Sequence, residues 1–338
     1  MISAPEAQKL VAEHGLEPRE EEIFLAASLG RVSARDVTAP IPQPVFDYSA
    51  IDGYGLRALD TSAASSERPA VLKLKGTVKT GDRKSPPLER GCVCRIMTGC
   101  IIPDGVDAVA AKEHTEIDGD RLIVRAPVAR GLNVHYRGQE IKKGQTVLRK
   151  GALIQPGTVG FLSAMGIGRI IVYQAPRVSL ISTGNELAPS GRPLSEGRIF
   201  DSNTPMIAAA LEDMRIRPVF TRRLSEQPAL IKKVIRFAVK ESDIVVLMGG
   251  VSGGGFSRVK KVLTEEGVKI VFSRSSQKPG KSLYFGKKEG HLIFGLPANT
   301  ANAFTCFYEY VYPAIRRAMG YAEEALTSGL VRLSEPLH

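Results

Sequence analysis

Tryptophan is absent from this 338-residue chain, and aromatic residues together make up only 6% of it. A single-stranded nucleic-acid platform needs exposed rings along a basic groove, and this composition argues against one. No apolar run approaches the roughly 20 residues of a membrane-spanning helix. The N-terminal stretch MISAPEAQKLVAEHG also lacks the apolar region of a secretion signal. A soluble, cytoplasmic protein with no membrane partner is therefore expected. The cysteines are few as well. Cys92 and Cys94 form a C-x-C pair with no second CxxC and no paired histidines, and Cys100 and Cys306 stand alone. They read as buried thiols rather than zinc ligands. Neither the Walker A nor the Rossmann glycine spacing is present.

What is abundant is positive charge. Lys and Arg number 46 against 35 Asp and Glu, a formal net charge of +11. That excess favours an anionic partner, but no nucleic-acid recognition motif accompanies it, so phosphate-bearing small molecules are the better expectation. At about 150 residues per domain, the length suggests two or three domains.

The most informative stretch runs from Asp243 to Tyr284. In DIVVLMGGVSGGG an acidic residue precedes an apolar run, Ile244 to Met248, and then glycines and a serine. This reads as a buried parallel strand ending in a loop. Gly249, Gly250, Gly253, Gly254 and Gly255 permit close backbone approach, and Ser252 adds a hydroxyl, so successive N–H groups can converge on an anion. A helix expected over residues 258–266 would set its N-terminus near that loop. Downstream, Lys278 and Lys281 bracket a Pro-Gly turn. A tight turn with solvated lysines is the alternative.

In chain order, residues 3–37 read as helices, with Ala4, Ala7, Leu10, Val11 and His14 on one face and a second helical repeat from Glu21 to Ala34. Prolines in TAPIPQPVFDYSAIDGYG then force an extended segment, and Asp52-Gly53 reads as a turn. Short β-branched runs from Val71 to Val128 indicate a small β domain, in which Thr98 either meets a ligand or satisfies its own loop. A helix is expected near residues 155–165. From Pro176 onward strands and helices alternate, with Asp201, Ser202 or Asn203 as candidate caps of the first helix. The expected fold class is multidomain α/β: a doubly wound α/β domain, plus an α-rich domain carrying an inserted small β domain. Ligands in doubly wound sheets lie at the carboxyl ends of the parallel strands, where STGNEL, GGVSGGG and GLPANT all fall.

FDYSAIDGYGLR, RIMTGCIIPDGVDAV, STGNEL through DSNTPM, DIVVLMGGVSGG, KPGK and GLPANTANAF occur here in fixed order over nearly the whole chain. In this the chain resembles the molybdopterin molybdenumtransferases, relatives of the gephyrin E domain. The resemblance implies an α-rich domain in two halves (1–41 and 139–173), a β domain between them (42–138) and a molybdopterin-binding α/β domain (174–322). Residues 323–338 would begin a C-terminal β domain that is absent or cut short. It also implies a homodimer with a cross-subunit site. The reaction would insert molybdate into adenylylated molybdopterin with release of AMP and use of Mg²⁺, for delivery to a molybdoenzyme acceptor. Residue by residue, Asp52, Thr98 and Glu186 take catalytic places. Gly184, Gly250, Ser252, Gly254, Lys278, Lys281, Ser282, Pro297 and Asn299 take places around the substrate and its anions.

The departures bear on activity. Gly255 and Ser257 stand where the family carries an acidic residue and a metal-binding aspartate, so the metal ligands are left unassigned. Ser225-Glu226 replaces a double aspartate, Ser282 a proline, and Glu140 an aspartate. Ala298, Thr300 and Asn302 alter the GLPGNPVSA pattern. Two readings follow: an active insertase, or a non-catalytic paralogue that binds molybdopterin or the finished cofactor for delivery or scaffolding.

Overall fold

A computed structural model describes residues 1–82, 87–191, 193–249, 254–326 and 329, with backbone alone for 254–258. The chain divides into two compact units. One comprises Met1–Asp36, Leu148–Gly160 and Gly168–His338, the other Val37–Val147 and Phe161–Ile167.

The first unit begins with α1 (Ala4–Glu13). Ser3 caps it by accepting from the Glu6 N–H while the Glu6 carboxylate takes the Ser3 N–H, a reciprocal capping box. Ala7 and Val11, one turn apart, are buried. The helical repeat expected over Glu21–Ala34 is not a helix. Glu20–Phe24 forms strand β1, followed by a 3-10 turn at Leu25–Ala27. The cause is non-local, because each residue of β1 pairs across to Arg169–Tyr173, and Arg35, Arg31 and Arg169 take the three glutamates in ion pairs.

The second unit is a six-stranded sheet. Its strands are β2 (Gly53–Leu56), β3 (Ala70–Val78), β4 (Cys92–Ile96), β5 (Ala108–Ala111), β6 (Thr115–Asp118) and β7 (Arg121–Val124). They lie in the order β5-β2-β4-β3-β7-β6, antiparallel except for β3 beside β4. Alternation gives the sheet two buried faces, one with Cys92, Cys94, Ile96 and Val109, the other with Leu56, Val93 and Leu122. All four cysteines are buried, and none is in a disulfide. Asp52-Gly53 is where β2 starts. A Cβ on Gly53 would sit 2.2 Å from the Ala110 carbonyl oxygen, so this residue must be glycine for β2 to lie against β5.

The rest of the first unit is the α/β sheet. After α2 (Pro156–Ala164) and β8 (Arg169–Tyr173) come β9 (Val178–Thr183), α3 (Asn203–Asp213), β10 (Phe220–Leu224), α4 (Pro228–Glu241) and β11 (Ile244–Met248). Then follow α5 (Gly254–Glu265), β12 (Lys269–Phe272), β13 (Tyr284–Lys288), β14 (His291–Leu296), α6 (Thr300–Cys306) and α7 (Tyr312–Ala318). The sheet order is β10-β9-β11-β14-β13-β12, with the first four parallel, β13 antiparallel to β14, and β12 antiparallel to β13. Every residue of β11 is buried. Ile244, Val246 and Met248 pack into a core with Ile207 of α3 and Phe307, while Val245 and Leu247 pack with Ile231 and Ile235 of α4 and Val262 of α5. A strand apolar on both faces belongs to a sheet covered on both sides by helices, which is the doubly wound arrangement. The α1 face joins the first of these cores through Ala7 and Val11.

Candidate functional site

Register aligns the carboxyl ends of the three central strands. Ser182 of β9 lies opposite Met248 of β11, and Met248 opposite Leu296 of β14. The chain leaves the sheet at these points through Gly184, Gly249 and Pro297. A cavity of about 250 Å³ opens there, lined by Thr183, Glu186, Phe200, Asn203, Gly249 and Asn299 among others. One wall is a two-residue parallel ribbon, Leu187–Ala188 beside Ile199–Phe200, which folds the loop after β9 back on itself. Phe200 keeps 43% of its surface exposed on that wall.

Asp201 ties the walls together. Its carboxylate accepts from the Ser182 hydroxyl at 2.9 Å, the Thr204 hydroxyl at 2.8 Å and the Thr204 N–H at 3.1 Å. Of the candidate caps of α3, Asp201 is thus the one whose side chain serves the helix, since the Ser202 side chain makes no cap bond. Ser202 instead shares a hydroxyl bond with Thr300, and the Asn203 amide donates to the Ala298 carbonyl, so the starts of α3 and α6 are joined. Asn299 caps α6 by accepting from the Asn302 N–H at 3.1 Å.

Two polar atoms on this cavity have no partner among the described residues. The Thr183 hydroxyl, in a residue only 2% exposed, and the Asn203 side-chain amide oxygen are buried without a hydrogen bond to any of them. A buried polar atom left unpaired costs about 1–3 kcal/mol. Placed on a cavity wall, both are suited to a ligand that completes them. Gly249 matters for shape: its φ is +79°, and a Cβ there would lie 2.4 Å from the Thr183 carbonyl oxygen. The Glu186 carboxylate folds back over Gly184, 2.7 Å from where a Cβ on that glycine would sit.

The expected residues are therefore gathered in part. Glu186 and Asn299 share the cavity, and Gly184 lines an adjoining one of about 740 Å³. Lys278, Lys281, Ser282 and Pro297 are not among the lining residues, although both lysines are exposed and their side chains have no hydrogen-bond or ion-pair partner among the described residues. Gly250 and Ser252, with most of the glycine loop, lie outside the described residues, as does the Ser257 side chain. Gly254 opens α5, four residues before the helix start expected from sequence. In the β unit, the register of Gly53 against Ile96 sets Asp52 beside Thr98. The Thr98 N–H and hydroxyl both donate to one Asp52 oxygen at 2.8 Å. The Thr98 backbone bond, then its hydroxyl, hold the Asp52 carboxyl below the usual aspartate range. Thr183 and Phe200 carry no signal of their own in the sequence and Asn203 only that of a candidate cap, although STGNEL and DSNTPM contain or adjoin them.

The described residues do not fit a resident Mg²⁺. Among them no group of three or more His, Cys, Asp or Glu side chains is placed to hold a metal ion. Asp201, the carboxylate that the two cavities share, is already engaged by three donors. Among the described residues no helix is long and apolar enough to cross a membrane.

A covered, mostly parallel sheet with a polar cavity at its strand ends defines an α/β protein of the kind that holds a small molecule there. Comparison with known proteins narrows that class. Residues 2–166 match the family model for the MoeA N-terminal region (domain I and II), and residues 179–317 match that for a probable molybdopterin-binding domain. The molybdopterin molybdenumtransferase 2 of Mycobacterium tuberculosis is 33% identical over 326 residues, covering 95% of this chain and 80% of that protein. The Haemophilus influenzae molybdopterin molybdenumtransferase is 32% identical over 322 residues, covering 95% and 78%. A crystal structure of the MoeA molybdopterin biosynthesis protein of Pyrococcus horikoshii OT3 superimposes with a TM-score of 0.78 at 30% identity, covering 96% of this chain and 81% of that one. The chain belongs to the MoeA family of molybdopterin molybdenumtransferases, enzymes that insert molybdate into molybdopterin.

Proposed function

We propose that the cavity at the ends of β9, β11 and β14 receives molybdopterin, and that the reaction consumes the adenylylated form with molybdate and releases AMP. The observation that carries this reading is the pair of buried atoms without a partner among the described residues, Thr183 Oγ1 and Asn203 Oδ1, on the wall of a cavity in a chain of this family. A pterin edge is rich in N–H donors, and Asn203 Oδ1 can only accept. The exposed face of Phe200 offers a flat apolar surface for the ring. Glu186 orients a ring N–H. Lys278 and Lys281, exposed and with side chains unpaired among the described residues, hold the oxyanion as point charges, and Ser282, Pro297 and Asn299 shape the loops around it. Catalysis on this reading is positional: the chain binds and orients the dithiolene and the oxyanion and offsets their charge, while the thiols that take molybdenum belong to the substrate.

Gly250, Ser252 and Gly254 complete the anion loop on this proposal. Asp52 and Thr98 serve the site of a second subunit in a cytoplasmic homodimer, and a molybdoenzyme receives the product. The test is AMP release from adenylylated molybdopterin with molybdate, with Mg²⁺ and with EDTA. Release by wild type and its loss in Glu186→Gln support the insertase. Tight pterin binding without release supports the second reading, a holder of molybdopterin or the finished cofactor, which the Gly255 and Ser257 replacements favour. Mixing Asp52→Ala and Glu186→Gln chains tests the shared site, because one competent site should reappear only if subunits exchange residues.

A further inference from the structure

The closing helix runs from α6 through a wide π turn at Phe307–Val311 into α7, and it touches two places. Its start stands on the cavity, where Asn299 caps it and the Thr300 hydroxyl meets that of Ser202 at 3.0 Å. Further along, Cys306 and Tyr310, about one turn apart and both 0% exposed, reach the turn that carries Lys278 and Lys281. The Tyr310 hydroxyl donates to the Gln277 side-chain oxygen at 2.5 Å, and the Cys306 thiol donates to the Gly280 carbonyl at 3.5 Å. Burial pushes the Cys306 thiol up to about 12 and raises the Tyr310 hydroxyl too, so both groups keep the proton they donate. Gly280 has a φ of +113°, and a Cβ there would lie 2.7 Å from the Cys306 sulfur, so turn and helix lie in close contact. The base of the turn is tied as well: the Ser275 N–H donates to the Lys281 carbonyl at 3.1 Å, and the Ser276 N–H to the Ile2 carbonyl at 2.8 Å.

Gln277 lies between β12 and β13, outside both strands, so sheet and helix would each be complete without its bond to Tyr310. What the bond fixes is the turn. Two ammonium groups on one short turn repel, and an exposed turn bearing them spreads unless its backbone is held. Here the backbone is held from the buried side, while neither lysine side chain has a hydrogen-bond or ion-pair partner among the described residues. A lysine is a point charge on a flexible stem, so the place of its backbone decides where the charge can go. We infer that Tyr310 and Cys306 are positioning residues for the oxyanion: acting through Gln277 and Gly280, they fix the turn from which Lys278 and Lys281 meet it. Because the same helix begins at the cavity, one element ties the lysine turn to the wall against which the pterin is held. The inference rests on the reading of the two lysines as oxyanion holders given above.

Acetylation of the full chain by acetic anhydride, read by mass spectrometry at Lys278 and Lys281 over a series of molybdate concentrations with molybdopterin present, measures oxyanion binding at the turn without turnover. AMP release gives KM and kcat. In wild type molybdate shields both lysines. Tyr310→Phe and Gln277→Met each raise the half-shielding concentration and the KM for molybdate about fivefold, the effect of one neutral hydrogen bond on the population of the competent turn, and leave kcat and molybdopterin affinity unchanged. The double variant is no worse than either single one, because both remove the same bond. Tyr308→Phe makes the same change at a half-buried hydroxyl with no hydrogen-bond partner among the described residues, and alters nothing. Gln277→Met carries the test if Tyr310→Phe fails to fold. An unchanged half-shielding concentration, a fall in kcat and molybdopterin affinity alongside it, or an equal shift in Tyr308→Phe overturns the inference, as does wild type in which molybdate shields neither lysine. Where wild type shields its lysines but releases no AMP, the insertase reading fails and the half-shielding concentrations still decide the inference.

Discussion

Asp201→Ala should be among the most damaging single substitutions near the site, and its cost can be worked from three contacts. The Thr204 N–H loses the acceptor that caps α3, worth about 1 kcal/mol. The Ser182 and Thr204 hydroxyls lose theirs, at about 1 kcal/mol each where water does not replace it. Asp201 is only 8% exposed, so replacement by water is incomplete, and a total near 3 kcal/mol is expected. Asp201→Asn retains one acceptor for the Thr204 N–H and should cost about 1 kcal/mol, since both hydroxyls can rotate to accept from the new amide. Urea unfolding followed by tyrosine fluorescence reads the difference, and hydrogen exchange in Val178–Thr183 localises it to β9. Ser182→Ala in the Asp201→Ala background should add less than in wild type, with a coupling of about 1 kcal/mol. An Asp201→Ala cost below about 0.5 kcal/mol, or an Asn variant as unstable as the Ala variant, would refute the reasoning.

Gly249→Ala forces a side chain into positive φ against the Thr183 carbonyl, so at least about 2 kcal/mol of stability should be lost, checked by the urea midpoint. In Thr98→Val the Asp52 carboxyl should titrate closer to the ordinary aspartate value while staying below it, because the backbone donor remains; carboxylate NMR reads this, and an unchanged titration contradicts the pairing. Asp243, at the start of β11, is pushed up by burial but pulled down further by the Arg177 N–H and by Arg19, and its folded value lies below the unfolded one. Its stabilisation is therefore full above the unfolded aspartate value and is lost as pH falls through the depressed folded one. Asp243→Asn should flatten the acid limb of stability against pH, and an unchanged limb would count against the assignment.

The strand Ile244–Met248 was legible because a run apolar on both faces is a local property. The stretch Glu21–Ala34 was not, because its apolar spacing suits a helix and the decisive partner, Arg169–Tyr173, lies far along the chain. The antiparallel placement of β12 and β13 at the sheet edge is equally a matter of pairing. Of the site, STGNEL and GLPANT were readable as strand-end loops, and Glu186 and Asn299 do share a cavity. Nothing in the local sequence distinguished Thr183 from any threonine ending a strand, since an unpaired hydroxyl is defined by what surrounds it. Sequence by itself determined the buried central strand and the family, because composition, periodicity and motif order are carried along the chain. Only the tertiary structure decided which polar groups already have partners and which line a cavity without one, because hydrogen-bond saturation depends on neighbours that chain order does not reveal.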